Sequence, residues 1–379
     1  MYSLRQYLSA LDDPHGLTRT LGEATLCRDE QGRALYTAGN SAAVFRIRHE
    51  GRVHALRCYF RPMRHLAEIY GERFLPQELY LHADPDRGEW VDVVLNDWIE
   101  GETLHTVVEQ AAIRKDTERL ARLSAAFDRL ALALVADDRA HGDLKPENII
   151  VATDGRLTPI DLDASFLPAF AGERSSEIGT AAFQHPARTT EDFDASLDDY
   201  PAALIATALH ALRLDPALYE RYAATDGLLF TPQRIADDPA LHEVLALFER
   251  HGLAAEYRIA RLLLSPTLHL PDLPQLLRHL TTVPETSAEV PALYAENGLW
   301  GYRIGERTTI PPLYDEGFDF SEGLAAIRLG RTWHFIDPAG RTVINCPHYE
   351  AVKPFRGGRA QAMRDGRRTE IDRTGHESA

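Results

Sequence analysis

Apolar and polar positions change their period twice along the 379-residue chain. After a short helical start, the segments around Arg33–Ala38, Ala42–His49 and Arg52–Phe60 alternate or are rich in β-branched and aromatic residues, and His49-Glu50-Gly51 joins the last two. This pattern predicts an antiparallel sheet with a hairpin turn. A helix is expected from about Met63 to Leu75, then strands at Glu78–His82 and Trp90–Trp98, the second with the apolar run Val-Asp-Val-Val-Leu. From Thr103 the period becomes helical, with Leu120, Leu123, Phe127, Leu130 and Leu134 recurring at steps of three and four behind a cap signal at Asp116 and Thr117. Further helices are predicted at Pro201–Leu212, His242–Arg250, Ala254–Leu264 and Leu273–Leu280, and Val283–Val290 reads as a linker.

Beyond the linker the chain repeats itself. The segment from Gly298 aligns with the one from Arg331, which pairs Trp300 with Trp333, Tyr314 with Tyr349 and Phe320 with Phe355 at offsets of 33, 35 and 35 residues, and a truncated third copy places Gly375 a further 35 after Gly340. Repetition at this scale signals stacked supersecondary units, and the turn residues Asn297-Gly298 and Asp337–Gly340 make each unit a hairpin. Two and a fraction repeats fall below the roughly three that a free-standing stack needs, so packing against the rest of the chain is expected. The Trp and Phe positions read as core.

Composition narrows the function classes. A formal net charge of −16 argues against a general nucleic-acid binder, which needs clustered Lys and Arg. Cys27, Cys58 and Cys346 are too far apart for a CxxC knuckle and odd in number, which suits a reducing cytoplasm. No apolar run approaches the roughly 20 residues of a spanning helix, so neither a membrane protein nor a secreted one is expected.

Chemistry concentrates in His141-Gly-Asp143-Leu-Lys145-Pro-Glu-Asn148, followed 18 residues after Asp143 by Asp161-Leu-Asp163 behind the strand-like Leu157–Ile160. Phosphoryl transfer needs a carboxylate to accept a hydroxyl proton, a cation to follow charge on the γ-phosphate and an amide oxygen for a divalent metal; Asp143, Lys145 and Asn148 supply them in that order. Further on stand Gly179-Thr180-Ala-Ala-Phe183-Gln-His-Pro186-Ala187 and Asp198-Asp-Tyr200.

These motifs resemble, in order, the catalytic loop, the D-F-G element, the end of the activation segment and the opening of a central helix in bacterial eukaryotic-like Ser/Thr protein kinases; the tail resembles WG repeats at Trp300-Gly301. The resemblance implies an α+β, bilobal protein-kinase-like fold over 1–282, with a β-rich first lobe and a helical second one, a linker at 283–290 and a β-hairpin repeat module over 291–379. It implies ATP-dependent transfer to Ser or Thr hydroxyls of protein substrates, Asp143 as base, Lys145 beside it, and Mg²⁺ or Mn²⁺ on Asn148 and Asp161. The repeats would bind a partner or regulate.

Upstream the match thins. Thr37-Ala-Gly39-Asn-Ser-Ala42-Ala-Val44 keeps one glycine of the Gly-rich phosphate loop, and Arg57, two residues after Ala55, stands where the ATP-positioning lysine belongs. An Arg fork can touch phosphate oxygens and a helix carboxylate, for which Glu72 is the expected partner, yet it does not reproduce a compact ammonium. The run Val94–Gly101, with Asp97, resembles the adenine-binding hinge. Ser175, Ser176 and Thr180 are phosphate-accepting residue types in the activation-segment region, but Gly142 replaces the Arg that commonly reads such a phosphate. Two alternatives stay open: an aminoglycoside- or choline-kinase-like phosphotransferase, which shares the Asp161-x-Asp163 pattern, and a pseudokinase scaffold, suggested by Arg57 and the eroded loop.

Overall fold

The structure, a computed structural model, describes residues 1–84, 87–223, 227–282 and 289–377, which fall into two compact units, Met1–Gly101 and Glu102–Ala379. The fold is mixed α/β, with a strand-rich N-terminal region and β-strand repeats at the C-terminal end. Among the described residues no helix is long and apolar enough to cross a membrane.

The first unit opens with helix α1 (Leu4–Asp12), started by a capping box in which Ser3 Oγ accepts from Gln6 N while Ser3 N donates to Gln6 Oε1 at 2.9 Å. Its apolar face buries Tyr7, Ala10 and Leu11, and Tyr7 Oη donates to the Tyr59 carbonyl at 2.5 Å. The strands are β1 (Thr25–Leu26), β2 (Tyr36–Ala38), β3 (Ala42–His49), β4 (Arg52–Tyr59), β5 (Phe74–Asp84) and β6 (Arg87–Asp97). They pair in the order β1-β3-β4-β6-β5, with β2 also on β3. Glu50 and Gly51 both take positive φ, as a two-residue hairpin between β3 and β4 requires. Alternation along the strands turns Phe45, Ile47, Leu56, Cys58, Val91 and Val93 into one core.

One expectation fails here. In place of a helix from Met63 to Leu75, helix α2 covers only Leu66–Tyr70, and a 3-10 turn (Gly71–Arg73) hands the chain to β5. His65 before α2 and Gly71 after it both sit at positive φ, which interrupts helical geometry at each end. Phe74 and Leu75 gain ladder partners in Val94 and Val93, so the strand claims the last residues of the helical pattern.

In the second unit, α3 (Leu104–Ile113) is capped by Thr103, whose Oγ1 accepts from Thr106 N, and α4 (Thr117–Val135) by Asp116, whose carboxylate accepts from Arg119 N at 2.9 Å. A hairpin of Ile149–Ala152 and Leu157–Pro159 follows. Then come α5 (Asp199–Leu214), α6 (Ala217–Tyr222), α7 (Pro239–His251), α8 (Ala254–Leu262) and α9 (Leu273–Thr281). Helix α5 is apolar around nearly its whole circumference and is buried from Asp199 to Leu212, which makes it the axis of this unit's core.

Most of the expected linker, residues 283–288, lies outside the described residues. The strands beyond it form three antiparallel sheets, Ala292–Glu296/Leu299–Ile304/Arg307–Tyr314, then Glu316–Gly317/Ala325–Leu329/Thr332–Ile336/Thr342–Cys346, then Ala351–Val352/Arg359–Arg364/Arg367–Asp372. The repeat is visible in the packing: the rings of Tyr302 and Phe320 lie 4.9 Å apart, and their counterparts Phe335 and Phe355 lie 4.7 Å apart. Gly340 and Gly375 close equivalent turns at φ near 80°, where their amides donate to Asp337 and Asp372 carbonyls.

The first two of these sheets pack on the helices. Tyr302, Ile310, Leu313, Tyr314, Ile327 and Leu329 belong to the same apolar cluster as α4, α5, α8 and α9. Arg258 of α8 donates from Nε to the Leu313 carbonyl at 2.7 Å and from Nη2 to Asp315 at 3.0 Å. Glu249 of α7 accepts from Arg331 N at 2.5 Å and Thr332 Oγ1 at 3.0 Å, and Thr342 Oγ1 donates to the Gly252 carbonyl.

Candidate functional site

The segment from His141 to Asn148 is fixed mainly through its backbone. Asp198, fully buried, accepts His141 N at 2.6 Å and Gly142 N at 3.0 Å, and burial holds its carboxyl above the usual range despite those bonds. Asp143 N donates to His141 Nδ1, so the imidazole proton lies on Nε2 and is donated to the Ile160 carbonyl at 2.8 Å. Ile160 N in turn donates to the Asn148 carbonyl at 2.8 Å. The residue before Asp161 is thereby tied to both ends of the loop.

Asp143, Lys145 and Asn148 converge on one another. Asp143 Oδ1 accepts Thr180 N at 2.6 Å; its Oδ2 lies 3.1 Å from Lys145 Nζ and 3.2 Å from Asn148 Nδ2. Lys145 Nζ also donates to Thr180 Oγ1 at 2.7 Å, and Asn148 Nδ2 donates to the Asp143 carbonyl at 3.0 Å. The side chains of Lys145 and Asp143 keep 23% and 18% of their surface exposed, so the pair remains open to solvent. Asn148 is turned so that its amide nitrogen serves Asp143, which leaves the amide oxygen as its free donor atom toward a cation.

Asp161 takes a left-handed conformation (φ 64°, ψ 64°) ahead of the 3-10 turn Leu162–Ala164, a region Asp tolerates better than most residues, and Asp163 is buried. A carboxylate and an amide oxygen form a hard donor pair that suits Mg²⁺, which takes one or two protein ligands and keeps its other positions for water and phosphate. As donor types, the two suit the metal expected of them.

On the same stretch, Glu147 of the 3-10 turn Pro146–Asn148 pairs with His105 Nδ1 of α3 at 2.9 Å. The pairing raises the imidazole pKa, and the same contact holds the Glu147 carboxyl below its ordinary range against its burial.

In the first unit the expected nucleotide residues other than Glu72 lie on β3, β4 and β6 and in the turn between β2 and β3. Val44, Arg57 and Val94 are directly opposite one another across three strands. Ala55 lies between Arg46 and Asn96. Gly39 N donates to the Ala42 carbonyl at 2.9 Å and closes the turn between β2 and β3, with a φ that any residue could adopt. Asp97 ends β6 opposite His54, 3.8 Å from its Nδ1. Arg57 is 8% exposed, with its guanidinium 5.5 Å from the Tyr59 ring. Glu72 departs from expectation: it is exposed in the 3-10 turn rather than on a helix, because α2 ends at Tyr70.

Sequence reasoning gave no positioning role to Asp198, Arg188 or Gln184, and read the Thr180 hydroxyl as a phosphate acceptor rather than as a partner of Lys145. Arg188 Nη1 donates to the Gly142 carbonyl at 2.8 Å and to Gln184 Oε1. Asp198 stood inside a quoted motif, but two consecutive Asp residues before an apolar helix read equally as a cap. Arg188 left no signal, because its partner in the loop is a backbone carbonyl.

Comparison with known families matches residues 307–333 and 335–367 to the model of the WG containing repeat. Residues 307–367 carry WG repeats. No curated protein matches the chain. The two matched stretches span the strands from Arg307 to Arg364, so the WG repeats include the edge that Asp315, Arg331, Thr332 and Thr342 present to α7 and α8.

Proposed function

We propose that the protein is a Ser/Thr protein kinase, transferring the γ-phosphoryl group of ATP to a protein hydroxyl. The observation that carries this reading is the convergence of Asp143, Lys145, Asn148 and Thr180 within hydrogen-bond distance, ahead of Asp161. In the proposed step Asp143 accepts the hydroxyl proton as the hydroxyl oxygen bonds to the γ-phosphorus; the bond to the β–γ bridging oxygen breaks and ADP departs with that electron pair. Lys145 supplies positive charge where the equatorial oxygens accumulate negative charge. Asn148 and Asp161 would hold Mg²⁺ or Mn²⁺, which when bound neutralises phosphate oxygens. Thr180 holds Lys145 and Asp143 in register with each other.

A protein acceptor is favoured over a small molecule by Lys145 and by the 179–188 segment, whose Thr180 bonds both Lys145 and Asp143. Arg57 would meet phosphate oxygens through its guanidinium, and the WG repeats would recruit a protein partner or regulate transfer.

The test is transfer from labelled Mg·ATP, and separately Mn·ATP, to the protein itself and to generic protein substrates, comparing wild type with Asp143→Asn. Label on Ser or Thr that disappears in the variant is expected. Nucleotide binding without transfer would favour the scaffold or small-molecule reading, and absence of nucleotide binding would end the enzyme reading.

A further inference from the structure

Position 142 cannot carry a side chain. Gly142 sits at φ +78°, and a Cβ there would lie 2.1 Å from the Ala164 carbonyl oxygen. The residue before the proposed base can therefore be steered only through its own peptide groups. Both are held by buried side chains from beyond the loop: the N–H by Asp198 and the C=O by Arg188. The Gly142 carbonyl belongs to the peptide plane that contains the Asp143 N–H, and a planar peptide cannot turn one without the other.

Arg188 is an expensive way to hold a carbonyl. It is 7% exposed, its two acceptors, the Gly142 carbonyl and Gln184 Oε1, are neutral, and its Nε and Nη2 are buried without an acceptor. Burying a guanidinium on such terms costs stability rather than adding it. The segment that carries it is pinned in its own right: Phe183 is fully buried, and His185, which accepts Ala187 N at Nδ1, donates from Nε2 to the Ser265 carbonyl at 3.1 Å and meets the Tyr200 ring edge-on at 5.0 Å. Arg188 thus reaches the loop from a fixed base.

We propose that Arg188 is the positioning residue of the site: by fixing the Gly142 carbonyl it sets the peptide plane from which Asp143 presents its carboxylate. This rests on the kinase reading for its effect on rate, and on geometry alone for its effect on the loop. Sub-ångström to 1 Å displacement of a base costs up to about 100-fold in rate.

The experiment uses the full chain with Arg188→Met and Arg188→Lys, measuring phosphoryl transfer, melting temperature and hydrogen exchange of the 140–148 peptide. Arg188→Met is expected to lower kcat about 30- to 100-fold with the KM for ATP within about twofold of wild type, and to speed exchange in that peptide. Arg188→Lys, which keeps one donor for the carbonyl, is expected to recover at least about tenfold of the kcat. Unchanged exchange and kcat within about threefold of wild type in Arg188→Met would overturn the proposal, as would a Lys variant no better than Met when both melt with wild type. If the Met variant does not fold, the Lys variant decides: faster loop exchange than wild type with a kcat loss under about tenfold supports the assignment, and unchanged exchange overturns it. If wild type transfers no phosphate, the kinase reading falls and exchange alone decides the positioning role.

Discussion

Lys145 Nζ lies between Thr180 Oγ1 at 2.7 Å and Asp143 Oδ2 at 3.1 Å, so one hydroxyl decides how far the ammonium is drawn toward the carboxylate. Thr180→Val keeps the size and the backbone N–H to Asp143 but removes that acceptor. Losing one hydrogen bond to a charged group is worth about 1.5 kcal/mol, which is about tenfold in rate. Thr180→Val is therefore expected to lower phosphoryl transfer about tenfold, with Thr180→Ser within about twofold of wild type, measured as kcat under saturating Mg·ATP. Asp143, Lys145 and Asn148 could be read from the sequence because the three lie within six positions and one loop presents them all. Arg188 and Asp198 could not. Their partners in the loop are backbone groups 46 to 57 residues away, and a carbonyl or amide is the same in every residue type.

Among the elements, those set by local chemistry were legible and those set by competition were not. Helix α4 announces itself through Asp116 and its apolar steps, and the Glu50-Gly51 hairpin through its turn residues. The pattern from Met63 to Leu75 misleads because Phe74 and Leu75 serve a strand as well as a helix, and ladder pairing with β6 wins. The start of α5 carries a titration that follows from its burial. The Asp199 carboxyl, 5% exposed, accepts Leu270 N at 2.8 Å and pairs with His269; burial outweighs both and pushes its pKa up to about 6. A carboxyl raised in the folded state contributes stability that is fully present below the unfolded value of 3.8 and is lost as pH rises through about 6. The contribution is on the order of 3 kcal/mol. Asp199→Asn keeps the acceptor for Leu270 N and cannot ionise. Thermal melts at pH 4, 5, 6 and 7 are expected to show wild type losing stability relative to the Asn variant across this range, by several degrees at pH 7. Parallel curves would show that Asp199 is not buried as described.

At the scale of the molecule, the first repeat sheet and one face of the second share an apolar cluster with the helices of the second unit, while the rest of the repeats pack in a cluster of their own around Trp333, Phe335 and Phe355; the shared part fits the expectation that two and a fraction repeats need another surface to cover them. The expectation was open to sequence reasoning as arithmetic on the repeat number; which helices would provide the surface was not, because α7 and α8 show no feature beyond ordinary amphipathicity. Glu249 makes a close polar contact of that surface. Its carboxylate accepts the Arg331 amide and the Thr332 hydroxyl, and it closes on Gly330 so tightly that a Cβ there would come within 2.7 Å of it. Glu249→Ala leaves an amide and a hydroxyl short of their acceptor, at a cost of about 2 kcal/mol, or about 4–8 °C for a unit of this size. Because the first two repeat sheets complete the helical cluster on one face and the repeats' own cluster on the other, this loss is expected to lower a single calorimetric transition shared by helices and repeats. Separate melting of the repeats, with the helical transition unmoved by Glu249→Ala, would mean that the two fold independently and that the shared cluster carries little of the energy. One transition moving as a whole makes any ligand of the WG repeats a stabiliser of the helices beneath the Asp143 loop, since binding to the native state alone raises the stability of everything that unfolds with it.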